Sequence, residues 1–147
     1  MQQITELETE HLIMRQWLPS DYASFAEISA DPAVMEYYPS TLSELKSNEF
    51  ANKCETLISN NGWGFWAVEL KNNNMFIGFV GLHNPEHNLP FSPCTEIGWR
   101  ISKSYWGHGY AAEAGNEVLK FAFTQLELAE VISFTTLKNS KSIRVME

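Results

Sequence analysis

A chain of 147 residues, 44% hydrophobic and 13% aromatic, is long enough to form one domain around a substantial core. It contains no run of ~18 apolar residues, so no membrane span is expected. Its polar, acidic start, MQQITELETEH, lacks the basic and apolar regions of a signal peptide. A formal net charge of −8 argues against general nucleic-acid binding.

The charge is uneven. Residues 1–98 hold 13 acids and 4 bases, and residues 99–147 hold 5 acids and 6 bases, so an anion is better hosted by the second segment. The acidic remainder would attract a cationic substrate or simply face solvent. Cys54 and Cys94 belong to no CxxC pair, which suits a reducing, cytoplasmic setting rather than a disulfide framework.

In chain order, HLIMRQW (11–17) alternates two faces and reads as a strand. In PSDYASFAEIS, Ser20 or Asp21 is expected to cap a helix that buries Tyr22, Phe25, Ala26 and Ile28. DPAVMEYYP is a turn followed by a short aromatic segment, closed by Pro39. Ser43 opens a second helix with an apolar stripe of Leu45, Phe50, Cys54, Leu57 and Ile58, stopped by NNGWG. GFWAVEL (64–70) and MFIGFVGLH (75–83) flank the turn KNNN and read as a hairpin. A loop with three prolines leads to CTEIGWRIS (94–102), the fourth strand.

Gly109 to Leu126 reads as a long helix with Ala111, Ala114, Gly115, Val118, Leu119 and Ala122 on one face, and the Glu113/Glu117 pair as a solvated face. EVISFTTL (130–137) is a fifth strand, and Ser140 starts a last helix. A helix between strands four and five predicts a right-handed crossover and a parallel pair there. The expected class is therefore α+β, or mixed α/β, in one domain without repeats or linkers.

The stretch YWGHGYAAEA (105–114) sets two glycines around a histidine just where a helix begins. Glycine there permits unusual backbone angles. A glycine turn feeding a helix also offers unpaired N–H groups to an anion. Local sequence alone leaves both readings open. No P-loop Lys-Ser/Thr pair and no full GxGxxG accompanies the glycines, which speaks against a nucleotide module. His83 and His87 are four apart, but Pro85 lies between them and breaks any helix, so no metal is expected.

The order of elements, the DPAVMEYYPS segment, the EIGWRISKSYWGHGYAAEA block and the LKNSKSIRVME segment together resemble the GCN5-related N-acetyltransferase (GNAT) family, most nearly its RimJ/RimL-type, ribosomal-protein N-acetyltransferase-like branch. The resemblance implies a central, mostly antiparallel sheet flanked by helices. It also implies acetyl-CoA as cosubstrate, without metal, and an amine acceptor such as a peptide N-terminus or a polyamine. Its phosphate loop maps onto Trp106, Gly107, His108, Gly109, Tyr110 and Ala111. The first slot, often Gln or Arg in the family, is Trp here. The strand that pairs with the pantetheine arm maps onto Trp99, Arg100 and Ile101. A cofactor-contacting Asn maps onto Asn139, with Ser142 three residues on; Asn139 alternatively caps the last helix.

Glu96 matches a position where several family members carry a catalytic Glu, with His83 as a second candidate base; Glu96 alternatively faces solvent or pairs with Arg100. The Tyr that some members use as general acid is Met146 here. Compared with the family, the chain is expected to lack the C-terminal strands, so that residues 1–147 form a truncated N-acetyltransferase domain. The uncovered edge at 130–137 would then favour a homo-oligomer. The resemblance implies direct acetyl transfer without a covalent enzyme intermediate. The alternative is a non-catalytic acyl-CoA-binding remnant.

Overall fold

The computed structural model describes residues 4–36, 40–83 and 96–125. The elements are β1 (Leu7–Glu8), β2 (Leu12–Arg15), α1 (Pro19–Ala30), α2 (Glu44–Asn61), β3 (Phe65–Leu70), β4 (Phe76–His83), β5 (Glu96–Ile101), a short 3-10 turn (Lys103–Tyr105) and α3 (Tyr110–Thr124). The five strands form one sheet in sequence order, every neighbouring pair antiparallel. The expected parallel partner strand at 130–137, with the edge assigned to self-association, lies outside the described residues. So do Cys94, His87, Asn139, Ser142 and Met146.

Alternation along the strands creates two buried faces. Trp66, Val80 and Trp99 lie in register on the face covered by α3, where the Trp66 ring meets Phe121 edge-on at 5.4 Å. Ala67, Phe79 and Arg100 lie in register on the other face. There Phe79 packs on Phe25 of α1 at 5.8 Å and on Phe50 of α2 at 5.4 Å. The core therefore has one layer on each face of the sheet, and the layer under α1 and α2 is largely aromatic.

Local chemistry explains the helix boundaries. Ser43 caps α2, its hydroxyl accepting from Lys46 N–H at 3.2 Å, and Gly62 ends the helix in the left-handed region with φ 86°. α1 departs from expectation. Its N-cap is Leu18, and Asp21 sits three residues into the helix, where its carboxylate accepts from Leu18 N–H at 2.7 Å. The same carboxylate pairs with Arg15 at 2.8 Å, so a nearly buried acid caps the helix and ties it to β2. Pro19, which needs no N–H partner in the first turn, allows this earlier start.

The buried stripe of α2 also differs: it runs through Ser47, Ala51, Cys54 and Ile58, while Leu45 is exposed. The expected stripe mixed two faces, and the 47/51/54/58 spacing is the one that meets the sheet. In α3, Ala114, Gly115, Val118 and Ala122 are buried as expected, joined by Phe121.

Candidate functional site

β5, the 3-10 turn and the start of α3 bring most of the described candidate residues to one side of the sheet. Gly107 and Gly109 both adopt positive φ, 85° and 78°, which other residues rarely tolerate, and Gly109 is the N-cap of α3. Among the described residues, a Cβ built on either glycine meets no atom beyond its chain neighbours within 4 Å. The conformation requires glycine, and the space above the loop is open. Among the described residues, nothing accepts from the N–H groups of Gly107, His108 or Gly109. The first N–H groups of α3 have no intrahelical acceptor by construction. A run of N–H groups at a helix start, with no side chain in the way, can take a phosphate or another oxyanion.

Trp106 serves the loop differently from the polar residue it replaces in the family pattern. Its half-buried indole packs against the core and donates to the Ile101 carbonyl at 2.9 Å. This hydrogen bond ties the loop to the end of β5.

β5 is the outer strand of the described sheet. Ser102 N–H bonds the Ile77 carbonyl at 2.8 Å, so the even-numbered residues of β5 are those bonded to β4. The backbone groups of Ile97, Trp99 and Ile101 therefore turn to the outer edge, where, apart from the Ile101 carbonyl taken by Trp106, an extended chain could pair with them as an added strand. Of the three residues expected to do this, Trp99 and Ile101 face the edge and Arg100 does not. The Arg100 side chain is buried on the opposite side of the strand, its guanidinium 5.2–5.4 Å from the rings of Phe25, Phe50 and Phe79 and 3.2 Å from Ser29 Oγ. It joins β5 to α1 and α2.

Glu96 opens β5 half-buried, on the same side of the strand as Arg100, and the register places it opposite His83 at the end of β4. The two candidate positions are therefore register partners on neighbouring strands. Cys54 is buried in α2, and burial pushes its thiol up to about 12, which removes it as a nucleophile. No group of metal-ligating side chains occurs among the described residues, and no described helix is long and apolar enough to cross a membrane.

Glu113 is not the solvated residue expected. Glu113 is bonded to Thr9 and to both the backbone and the ring of His11, whereas Glu117 has no such tie among the described residues. Partial burial acts to raise its pKa, but the hydrogen bonds from Thr9 and His11 outweigh this and hold the carboxyl below its ordinary value. The hydrogen bond to Glu113 raises His11 above its ordinary 6.5. Helical spacing alone hides this contact, because the partners lie about a hundred positions away.

Comparison with known proteins decides the family. The family model of the acetyltransferase (GNAT) domain matches residues 11–147. The chain belongs to the GNAT acetyltransferase family. The FsC-acetyl coenzyme A-N(2)-transacetylase of Aspergillus fumigatus is 48% identical over 129 residues, covering 82% of this chain and 53% of that protein. Among solved structures, an acetyltransferase from Agrobacterium tumefaciens superposes with a TM-score of 0.83 at 25% identity, covering 99% of this chain and 82% of the other. The spermidine N-acetyltransferase of Vibrio cholerae, solved with CoA and spermine, shares the fold with a TM-score of 0.71 at 23% identity, covering 94% of this chain and 79% of the other. The mixed α+β fold is thus that of a GNAT protein.

Proposed function

We propose that this GNAT chain, read as one N-acetyltransferase domain working in the cytoplasm, transfers acetyl from acetyl-CoA to an amine. The acceptor class is a protein N-terminal amine or another small amine, as the RimJ/RimL-type pattern of the WGHGYA block suggests. The observation that carries the reading is the open loop: two positive-φ glycines and, among the described residues, a row of N–H groups without acceptors and no atom packed over the glycines.

In this reading, the N–H groups from Gly107 to Ala111 hold the pyrophosphate, helped by the dipole of α3 and by the His108 ring. The outer edge of β5 at Trp99 and Ile101 takes the pantetheine arm. Trp106 fixes the loop to that edge, and Arg100 holds the strand from behind. Asn139 and Ser142, outside the described residues, remain proposed contacts of the cofactor.

The amine nitrogen attacks the thioester carbonyl carbon, an N–C bond forms, and the C–S bond then breaks. Glu96, directly or through water, takes the amine proton, and a backbone N–H near Trp99 offsets charge on the carbonyl oxygen. The departing thiolate is finally protonated. No covalent enzyme intermediate is required.

The test combines calorimetry with coenzyme A and a thiol-release assay using N-terminal peptides, polyamines and other amines. Wild type should bind and turn over. Gly109→Val, which forces a β-branched residue into positive φ and fills the approach, should abolish binding with the fold intact. Equal affinity of wild type and variant would remove the loop from the assignment. Binding without turnover on any amine would favour an acyl-CoA-binding role.

A further inference from the structure

The N-terminal turn of α3 carries a negative charge beside the proposed pyrophosphate loop, and that charge is held in an unusual way. Glu113 lies one turn after Gly109, whose carbonyl accepts from Glu113 N–H at 2.9 Å. Its carboxylate accepts from Thr9 Oγ1, from His11 N–H at 2.9 Å and from His11 Nδ1 at 2.8 Å. The donors come from the turn joining β1 to β2. That turn is braced in its own right, with Thr9 N–H on the Leu12 carbonyl at 2.9 Å and Leu12 N–H on Thr9 Oγ1 at 3.1 Å.

The contact continues into the loop: the His11 ring lies 6.1 Å from Tyr110, and Tyr110 stacks on His108 at 5.3 Å with the planes 17° apart. A carboxylate in the first turn stabilises the helix. It opposes a second anion at the same helix end. Three donors, one of them the His11 imidazole, answer both demands when the ring is protonated: they fix the turn and mask the charge.

We propose that Glu113 and His11 act as positioning residues for the cofactor loop, with protonated His11 neutralising Glu113 so that the N-terminus of α3 accepts the pyrophosphate. The inference rests on the acetyl-CoA reading of the loop. The groups facing His11 are Glu113 and Tyr110 from α3, Glu10 from its own turn, and Lys71 from the β3–β4 turn. Glu113 and Glu10 favour the cation, and Lys71 opposes it. The cationic form is therefore present at low pH and lost as pH rises through a value above 6.5. Affinity for the cofactor pyrophosphate should fall across that window.

The probe is dephospho-coenzyme A, which lacks the 3′-phosphate that would titrate in the same range. Its affinity is measured by calorimetry from pH 6 to 9 on wild type, His11→Gln, Glu113→Gln and the double variant. Wild type should weaken about three- to tenfold with rising pH, the scale of a charge at a helix end. His11→Gln should already bind weakly at pH 6 with a flatter profile, because Glu113 is then unmasked. Glu113→Gln should bind well at all pH values, and the double variant should recover its affinity. A merely structural contact would not produce that recovery. If wild type binds but His11→Gln matches its affinity and pH profile, the charge-masking role is overturned and the loop assignment stands. If wild type binds neither this probe nor coenzyme A, both fall.

Discussion

Glu96 and Arg100 sit on one strand and one face, yet their surroundings assign them different work. Arg100 is buried among three phenylalanine rings with Ser29 beside it, a setting that holds β5 against α1 and α2. Glu96, at the start of the strand and half-buried, keeps a route to solvent and stands opposite His83. A proton acceptor needs that access, so the catalytic expectation falls on Glu96. Glu96→Gln should lower turnover on the order of 10²–10⁴-fold, the usual contribution of a positioned base, while coenzyme A affinity stays within about twofold. Steady-state kinetics and calorimetry on the same preparations check this. Unchanged turnover across pH would transfer the role to water or to His83.

At the scale of elements, the site depends on how closely β4 and β5 approach. Gly78 of β4 has φ 146°, and a Cβ there would lie 2.0 Å from the Arg100 carbonyl oxygen and 2.9 Å from Ile101 Cα. Backbone cannot yield as a flexible side chain can. Gly78→Ala should therefore push β5 outward at Arg100 and Ile101 and destabilise the fold on the order of 1–3 kcal/mol. A denaturant midpoint measures the loss, and a midpoint equal to wild type would mean that β5 shifts freely.

Elements with strong local signals were legible in sequence. The aromatic and β-branched hairpin of β3 and β4, the Ser43 cap and the glycine loop all stand close to where their residues place them. What local sequence obscured was set by distant partners. Asp21 caps α1 from inside the helix because Arg15 of β2 holds its carboxylate. Leu45 is exposed because the sheet meets the face of Ser47 and Ala51. Glu113 looks solvated until the β1–β2 turn folds onto it. The same limit applies to Arg100, whose place in the family pattern suggested a cofactor contact while its side chain serves the core.

At the scale of the whole molecule, the proposed cofactor would touch three parts at once. The loop after β5 is anchored by Trp106 to Ile101, α3 packs on the sheet through Ala114, Val118 and Phe121, and the β1–β2 turn reaches α3 through Glu113. A ligand lying along the β5 edge and across the start of α3 would bind only when all three are in place, so its binding free energy adds to folding stability. At a coenzyme A concentration a hundred times Kd, this linkage is worth about 2.7 kcal/mol. In a domain of this size, that raises Tm by roughly 5–10 °C. The anionic loop contacts should make the shift smaller at high salt, because exposed charges are screened. Thermal unfolding followed by circular dichroism, with coenzyme A present or absent, measures both effects. The Gly109→Val protein is the control: it should melt at the same temperature with and without the ligand. If wild type and Gly109→Val gained equal stability from coenzyme A, the ligand would be bound away from the loop, and the link between this open helix start and the cofactor would be broken.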